Sequence, residues 1–297
     1  MLIIDGRHML YRTADVFREL EVEVDGQVVP TGAIWGFLNL MLLIHERWGG
    51  LVAVAWEGEG NFRFQLYPEY KQKGVPTEEL REFLDGMNQQ EVILKRLLQL
   101  LGVRQYEGDG CEADDVIGHL VERFQGMNRV VYSGDSDLRQ LVGEGVVVVA
   151  PGGKKGDKVY DVAAVIERHG VAPEYIPDLK ALCGDTSDNI PGVRGVGPKK
   201  AAALVQIYGN VDSVIAAAER SDPGWPRAVG EKLRCAVVEA AADIRLYLQL
   251  TTIKRGYTIK PIHPEPDKKA TIQMLKRLKF ASLLTFTRLA QMKAMAG

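Results

Sequence analysis

Short runs of β-forming apolar residues alternate with longer amphipathic stretches along the first half of the chain. The apolar runs predict strands at residues 2–5, 52–56, 129–133 and 146–150. Apolar residues at helical spacing predict helices at 33–48 and 78–101. Because strands that alternate with helices form mostly parallel sheets, the sequence predicts an α/β fold with a mostly parallel central sheet flanked by helices.

From about residue 160 onwards, the apolar positions recur with the period of helices. The predicted helices are 162–169, 174–182, 199–208, 211–219 and 231–250. Two smaller features lie outside this pattern: a β-hairpin at 22–29 with Asp25 and Gly26 at its centre, and a flexible surface loop at 152–156. We therefore expect a helical region to follow the α/β core.

The composition, 46% hydrophobic and 26% charged residues, is ordinary for a soluble globular protein. No apolar stretch reaches the roughly 18 residues of a membrane-spanning helix, and the chain opens on a strand, not on the segments of a signal peptide. Cys111, Cys183 and Cys235 are scattered without a CxxC spacing, which fits reduced thiols. We expect a cytoplasmic protein with no membrane partner.

Charge is distributed unevenly along the chain. The formal net charge is −2, yet residues 254–297 contain ten Lys and Arg against two Asp and Glu, so the remaining residues carry a net −10. Acidic residues are thus concentrated where a metal could neutralise them, and basic residues where phosphate could bind. The pooled charge therefore does not exclude a nucleic-acid partner.

Acidic residues recur at the carboxyl ends of the predicted strands. Asp5 and Glu57 end the first two strands, and Asp135 and Asp137 follow the third. In open α/β sheets, ligands bind in the crevice beyond these strand ends. We therefore expect the four carboxylates to converge although they are far apart in the sequence.

Five further carboxylates lie in two short motifs. Glu112, Asp114 and Asp115 open a predicted helix, and Asp185 and Asp188 repeat the spacing of three residues. Nine carboxylates cannot gather without cations, and oxygen ligands of this kind select Mg²⁺, or Mn²⁺ in its place. Each residue taken alone is equally explained as a helix cap or a solvated surface charge; their recurrence at one edge favours a metal site.

A glycine-rich segment is followed by two lysines. Gly195 and Gly197 allow a tight turn at the start of a helix whose free N–H groups can bind a phosphate oxygen, and Lys199 and Lys200 add positive charge. The pattern predicts a helix–hairpin–helix over about residues 180–208, which binds the backbone of duplex DNA. An ordinary glycine-rich connection between helices is the alternative.

Basic and aromatic residues are interleaved before the long helix. Arg63, Tyr70, Lys71 and Lys73 suit phosphates and a stacked base; a solvated loop with its tyrosines packed inward is the alternative. The GxSxG, HExxH and Walker A motifs are absent from the sequence, which argues against the mechanisms they serve.

These motifs together resemble those of the 5′-nuclease superfamily, and most of all the N-terminal 5′-nuclease domain of bacterial DNA polymerase I and free-standing bacterial and phage flap endonucleases. The segment GDTSDNIPGV is the most specific match. The matching segments run in the family's order at residues 4–6, 11–12, 62–71, 112–115, 133–138, 184–193, 195–199 and 275–284.

The resemblance implies a PIN-like 5′-nuclease core over residues 1–178, with a helical arch at about 74–100, and a helical DNA-binding region over 179–297. It implies a monomeric flap endonuclease and 5′–3′ exonuclease that cleaves 5′-flap, nicked or 5′-ended duplex DNA by a two-metal mechanism. It also implies K⁺ in the helix–hairpin–helix, bound by carbonyls near Val193 and Val196. No polymerase region follows in this sequence, so we expect a free-standing nuclease of a bacterial or phage-infected cytoplasm.

The resemblance also suggests residue roles. Lys71 matches the family's catalytic lysine, while Tyr70 would stack on a base and Arg63 would bind the DNA backbone. The more tightly bound side of the metal site would comprise Asp5, Glu57, Glu112, Asp114 and Asp135. The other side, partly through waters, would comprise Asp115, Asp137, Asp185 and Asp188.

Two positions depart from the family pattern. The family usually has Asp where this chain has Glu57, and often Arg where it has Gly74, for which Lys73 is a substitute. Two other functions fit the same motifs. One is a catalytically weak DNA-structure-binding protein, which Glu57 favours, and the other is a PIN-like RNase.

Overall fold

The computed structural model describes residues 1–24, 26–72, 74–153 and 156–296. The chain forms two compact units, each built from separate segments. Unit 1 comprises Met1–Gly60, Val75–Gly134 and Arg255–Gly297, and unit 2 comprises Asn61–Gly74 and Asp135–Lys254. The boundary predicted between residues 178 and 179 lies within unit 2 and stays a prediction.

The strands of unit 1 form a mostly parallel sheet and a separate two-stranded ribbon. These strands are β1 (Leu2–Asp5), β2 (Glu21–Val24), β3 (Gln27–Pro30), β4 (Val52–Trp56), β5 (Arg104–Gly108), β6 (Arg129–Tyr132) and, after two strands of unit 2, β9 (Ile259–Ile262). The order β6-β1-β4-β5 is parallel throughout, and β9 pairs antiparallel with β5. The mostly parallel sheet expected from the sequence is confirmed.

The sheet register brings the strand ends together. Leu2 of β1 is paired with Val52 of β4 and with Val130 of β6, and Asp5 is paired with Ala55. Every residue of β1 and β4 is buried, as expected for strands that are covered on both faces. Asp5 therefore ends at the carboxyl edge of the sheet.

The helices of unit 1 are α1 (Gly6–Val16), α2 (Gly32–Trp48), α4 (Glu78–Leu101), α5 (Ala113–Arg123), α12 (Lys268–Arg277) and α13 (Phe286–Ala296). Unit 2 contains β7 (Val146–Ala150), β8 (Lys158–Tyr160), and the helices α3 (Phe62–Leu66), α6 (Val162–His169), α7 (Ile176–Cys183), α8 (Pro198–Tyr208), α9 (Val211–Glu219), α10 (Glu231–Glu239) and α11 (Ala241–Thr251). Short 3₁₀ turns cover Asp137–Leu141, Pro173–Tyr175 and Ala281–Leu283.

A close approach between α1 and β4 explains the glycine after Asp5. A Cβ atom on Gly6 would lie 2.5 Å from the ring of Trp56 and 2.8 Å from the carbonyl oxygen of Ala55. Trp56 is fully buried, and its Nε1 donates to Oε1 of Gln105 at 3.0 Å. Helix α1 can therefore begin directly at the strand end, which places the Asp5 carboxylate at the first turn of the helix.

Helix α4 has the bounds that its hydrophobic period predicts. From Met87 onwards its apolar face is buried in unit 1, with Leu94 and Leu97 fully inaccessible. Its first turns are exposed, and Phe83 there contacts the ring of Tyr11 edge to face at 5.4 Å. No residue of α4 before Met87 is buried, and the arch at about 74–100 stays a prediction.

Among the described elements, the sequence missed three strands, the helices α1, α3, α12 and α13, and one helix break. Strand β5 contains the polar residues Arg104, Gln105 and Glu107 and so has no apolar run, and β9 contains Pro261, which is tolerated on an edge strand. The third missed strand is β8. The helix predicted at 231–250 is divided at Ala240 into α10 and α11, and that predicted at 174–182 begins as a 3₁₀ turn.

Within the described residues, no single helix has the length and hydropathy needed to cross a membrane. Helices α8 and α9 meet that requirement only when taken together, with a bend of 86° between them.

Leu94 is a direct test of how much the buried face of α4 stabilises unit 1. Leu94→Ala should lower the free energy of unfolding by about 2–5 kcal/mol because it leaves a cavity in a packed core. Val92→Ala on the same helix, where the side chain is 71% exposed, should cost less than about 0.5 kcal/mol. Urea denaturation followed by tryptophan fluorescence measures both, and equal effects would contradict the observed orientation of α4.

Candidate active site

The nine predicted carboxylates are divided between the two units. Unit 1 contains Asp5, Glu57, Glu112, Asp114 and Asp115, and unit 2 contains Asp135, Asp137, Asp185 and Asp188. Each group is built by its own local structure.

In unit 1, Asp5 is buried and hydrogen-bonded through both carboxylate oxygens. Oδ1 accepts from the backbone N–H of His8 at 3.0 Å and so caps α1, while Oδ2 accepts from the hydroxyl of Ser133 at 2.7 Å. Its side chain is fixed in position at the carboxyl end of β1. Ser133 was missed as a supporting residue, although it directly follows the third predicted strand.

The second acidic motif of unit 1 opens α5, as predicted. Glu112 and Asp115 are buried, and Oδ2 of Asp115 accepts from the backbone N–H of Glu112 at 3.1 Å. Glu57 is exposed after β4, and Asp114 is partly exposed. Asp115 therefore caps the start of α5. Helix capping was one of the two explanations given for this motif, and metal binding was the other.

In unit 2, three of the carboxylates form a compact cluster. Asp137, Asp185 and Asp188 each place one oxygen within 4.8 Å of the others. Asp135 is exposed, and its Oδ1 accepts from the backbone N–H of Asp137 at 2.8 Å. Three hard oxygen donors so close together fit a divalent cation such as Mg²⁺ or Mn²⁺ better than a softer metal. We call these three residues the acidic cluster.

A tight loop between α7 and α8 supplies two members of the acidic cluster. Asp185 and Ile190 exchange two backbone hydrogen bonds of 2.8 Å, and Oδ1 of Asp185 accepts from Ser187. Gly184 and Gly192 have positive φ and approach so closely that a Cβ on Gly192 would lie 2.2 Å from the nitrogen of Gly184. The glycines of the GDTSDNIPG segment are thus needed to fold the loop.

Two neighbouring residues contact the third member, Asp188. The hydroxyl of Tyr70 donates to its Oδ2 at 2.9 Å, and Nζ of Lys71 lies 3.8 Å from its Oδ1. The backbone N–H of Lys71 also donates to the carbonyl of Asp188 at 3.0 Å. Lys71 adopts a left-handed backbone with φ of 52°. Tyr70 and Lys71 are therefore anchored on the loop, with the exposed side chain of Lys71 beside the acidic cluster.

Lys180 was not singled out by the sequence, yet it lies inside the acidic cluster. Its Nζ contacts Oδ1 of Asp137 and lies 2.5 Å from Oδ2 of Asp185. Burial alone would raise the pKa of Asp185, but the charge and hydrogen bond of Lys180, together with the hydrogen bonds of Ser187, outweigh it and lower that pKa. Lys180 lies on α7, five residues before Asp185 in the loop that follows, and a single lysine at that position carries no signal of its own in the sequence.

Two residues predicted to contact DNA are buried instead. Arg63 is 2% exposed, and its guanidinium donates to the carbonyls of Leu250 and Thr252 at 2.8 and 3.1 Å. Tyr70 is 1% exposed, with its hydroxyl on Asp188. Neither side chain presents a surface for a phosphate or a base in this structure. The alternative that the tyrosines pack inward holds for Tyr70.

The glycine-rich segment has the geometry expected at a helix start. Gly197 is the N-cap of α8 and Pro198 is its first residue, while Gly195, Gly197 and Lys199 are exposed. Nζ of Lys200 lies 3.5 Å from the carbonyl of Gly195.

The two residues predicted near a K⁺ ion lie in the same segment. The side chains of Val193 and Val196 are buried, and the backbone N–H of Val196 donates to the carbonyl of Val193 at 2.9 Å. Lys73, predicted to bind DNA, and the loop residues Asp25, Lys154 and Lys155 lie outside the described residues.

A cationic group adjoins the 3₁₀ turn that carries Asp137. A guanidinium nitrogen of Arg139 lies 2.9 Å from Nε2 of His169, and the guanidinium lies 4.1 Å from the ring centre of Tyr160. Burial, followed by the charges of Arg139, Arg168 and Lys158, lowers the pKa of His169 to about 4. The neutral imidazole can therefore accept a hydrogen bond from Arg139 at neutral pH.

Two family models match the chain. One describes a 5′-3′ exonuclease N-terminal resolvase-like domain and matches residues 1–170, and the other describes a 5′-3′ exonuclease C-terminal SAM fold and matches residues 171–270.

Relatives share sequence over nearly the whole chain. A 5′-3′ exonuclease of Aquifex aeolicus is 35% identical over 290 residues, which are 96% of this chain and 93% of the relative. The thermostable DNA polymerase I of Thermus filiformis is 32% identical over 292 residues. Those residues cover 96% of this chain but only 32% of the polymerase, so the chain spans about a third of that relative.

The fold matches that of a phage nuclease. A structure of the 5′-exonuclease of bacteriophage T5 with bound divalent metal ions has a TM-score of 0.70, at 18% identity over 99% of this chain and 96% of that one. A second structure of the T5 enzyme, called a flap endonuclease, contains DNA and metal ions and has a TM-score of 0.68 at 17% identity, covering 99% and 98% of the two chains.

The lowered pKa of His169 predicts a pH dependence of stability. The pKa falls from 6.5 to about 4 on folding, so the unfolded chain takes up this proton first as the pH drops. Stability should be unaffected above about pH 6.5 and should decline between pH 6.5 and 4, by about 1–2 kcal/mol after screening by water.

His169→Gln keeps an acceptor for Arg139 but cannot titrate. The loss in unfolding free energy between pH 7 and pH 5, measured by urea denaturation, should be about 1 kcal/mol smaller in this variant than in the unmodified protein. His263→Gln, at an exposed position, is the control and should leave the loss unchanged. An identical pH profile for all three proteins would contradict the assignment to His169.

Proposed function

The chain belongs to the 5′-3′ exonuclease family, and we propose that it hydrolyses phosphodiester bonds in 5′-flap, nicked or 5′-ended duplex DNA, as both a flap endonuclease and a 5′–3′ exonuclease. The observation that carries this proposal is the acidic cluster of Asp137, Asp185 and Asp188, with Lys71 beside it. Such a cluster can hold a cation, and the exposed lysine can contact the phosphate that the cation attracts.

Mg²⁺ is the proposed metal, with Mn²⁺ as a substitute, because every candidate ligand is a carboxylate oxygen. When bound, two such ions would supply an activated water and stabilise the leaving oxygen. The protein's own contribution is to hold the ligands in position: Oδ1 and Oδ2 of Asp5 accept hydrogen bonds from His8 and Ser133, and Asp185 is held by its loop.

The division of ligands between the two metals remains a proposal. One side would comprise Asp5, Glu57, Glu112, Asp114 and Asp135, and the other Asp115, Asp137, Asp185 and Asp188. Glu57 is exposed, and its side chain is one methylene longer than that of aspartate, so it is kept in the first set as a carboxylate ligand with a longer reach.

Lys71 is proposed to stabilise negative charge on the scissile phosphate. Its backbone N–H donates to the Asp188 carbonyl, and its exposed side chain places Nζ 3.8 Å from Oδ1 of Asp188 and 5.2 Å from the ring centre of Tyr70. A salt bridge of this length and exposure is weak, so a phosphate can take the ammonium from Asp188. The buried Tyr70 is proposed to orient Asp188, and Arg63 to fix α3 to the end of α11.

The segment from Gly195 to Lys200 is proposed to bind the backbone of duplex DNA as part of a helix–hairpin–helix. Its support is the exposed start of α8, where Gly195, Gly197 and Lys199 face solvent. We also propose a K⁺ ion near the carbonyls of Val193 and Val196 as part of this DNA-binding segment.

A labelled 5′-flap duplex tests the proposed function. We expect cleavage near the junction of the single strand and the duplex in Mg²⁺ or Mn²⁺, and binding without cleavage when EDTA removes the metal. Binding without cleavage in both metals would leave only a DNA-structure-binding protein. Faster cleavage of RNA hairpins than of DNA flaps would identify an RNase instead.

Asp185→Asn tests the chemical role of the acidic cluster. The neutral amide should lower single-turnover cleavage by about 100-fold or more, whereas flap binding in Ca²⁺ should change far less. Asp212→Asn, an exposed acid of unit 2 paired with Arg245, is the matched control and should retain cleavage. Loss of binding with unchanged turnover per bound complex would show that Asp185 lies outside the chemical site.

A further inference from the structure

Lys180 occupies a position between two carboxylates of the acidic cluster. Its Nζ contacts Asp137 and Asp185 at once, and it also lies 3.2 Å from the hydroxyl of Ser136. The side chains of the two aspartates are 12% and 10% exposed, and that of Lys180 is 12% exposed. A lysine so far removed from solvent is unusual unless it is paired.

We propose that Lys180 is a built-in cation of this site, which holds Asp137 and Asp185 together without metal and is displaced from them when a divalent ion binds. This inference rests on the proposed function, because it requires the acidic cluster to bind the divalent metal. It makes Lys180 a positioning residue that sets the metal affinity of the cluster and keeps the metal-free protein folded.

The electrostatics of the cluster support this role. Without a cation, three carboxylates within 4.8 Å of one another repel, and partial burial strengthens that repulsion. Lys180 compensates Asp137 and Asp185, while Asp188 has Tyr70 and Lys71. Two ammonium groups thus offset much of the charge of the three carboxylates in the metal-free protein, and a divalent ion gains access to Asp137 and Asp185 by competing with the ammonium of Lys180.

The length and attachment of the side chain suit such an exchange. Lys180 lies near the end of α7, which terminates at Cys183 immediately before the loop that carries Asp185. A flexible stem of four carbons lets the ammonium withdraw without movement of the helix. Lys180 therefore stabilises the acidic cluster in the metal-free protein and can still move away when a metal binds.

The test is Mn²⁺ binding to Lys180→Met, measured by calorimetry on the full chain without DNA. The variant should bind Mn²⁺ at least about fivefold more tightly than the unmodified protein, because the competing charge is gone. Its melting temperature without metal should fall, and saturating Mn²⁺ should restore it. Lys260→Met removes an exposed lysine paired with Asp109 in unit 1 and should change neither property.

Weaker or unchanged Mn²⁺ binding by Lys180→Met would overturn the proposal. A different outcome would contradict the metal site itself, and the proposed function with it: Mn²⁺ binding that is absent from the unmodified protein, or that is unchanged by Asp185→Asn. The two failures can be told apart. If only the role of Lys180 is wrong, the unmodified protein still binds Mn²⁺ at the acidic cluster, and at least as tightly as Lys180→Met does.

A second measurement needs no folded methionine variant. The ¹⁵N resonance of the Lys180 ammonium, assigned by its absence in Lys180→Arg, should shift during a Mg²⁺ titration as the ammonium leaves its carboxylates. The ammonium resonance of Lys260 should stay in place. A Lys180 resonance that is unchanged at saturating Mg²⁺ would show that the metal does not displace it, and would overturn the proposal.

Discussion

Repulsion between carboxylates is the constraint on which the structure of unit 2 depends. Asp137 comes from a 3₁₀ turn, and Asp185 and Asp188 come from the loop between α7 and α8, yet their oxygens lie within 4.8 Å. Such an arrangement is stable only where positive charge and hydrogen-bond donors surround it. Lys180 supplies the charge from α7, and Tyr70 supplies a donor from the chain beyond α3. Several elements of unit 2 are thus positioned by the need to compensate one small group of acids.

The backbone accommodates this constraint through a few special positions. Asp185 and Ile190 exchange two backbone hydrogen bonds, and Gly184 lies close to Gly192. Together these contacts turn the chain sharply enough to bring Asp185 and Asp188 near each other. In unit 1, Gly6 has the same role: because it has no Cβ, the first turn of α1 can lie directly against the end of the strand. Both sites rely on glycine because any Cβ would occupy space already filled.

Sequence patterns predicted the parts of the fold that depend on local periodicity. The bounds of β1, β4 and α4 follow directly from their apolar residues, since burial on both faces or one face leaves an unambiguous pattern. Strand β5 was missed because its burial depends on neighbours that the local sequence does not reveal. Strand β9 was missed for the same reason, because pairing with β5 across about 155 residues decides its conformation.

The sequence indicated which acidic residues are candidates for the site, but not which side chains contact them. Motifs and their order identified the acidic residues, because carboxylates at strand ends and helix starts carry a signal of their own. The burial of Arg63 and Tyr70 had no such signal. The local sequence around a basic or aromatic residue does not show whether its side chain faces solvent or the core. Lys180 was missed because a single lysine on a short helix is ordinary until its partners are known.

The interleaving of the two units has a consequence for synthesis. The chain passes between them four times, at residues 60, 74, 134 and 254, so neither unit is an uninterrupted stretch of sequence. Unit 2 ends at Lys254, whereas unit 1 still requires β9, α12 and α13. On the ribosome, the unit with the acidic cluster can therefore complete its contacts first. The sheet that contains β1 must wait, with the edge of β5 unpaired, until β9 emerges.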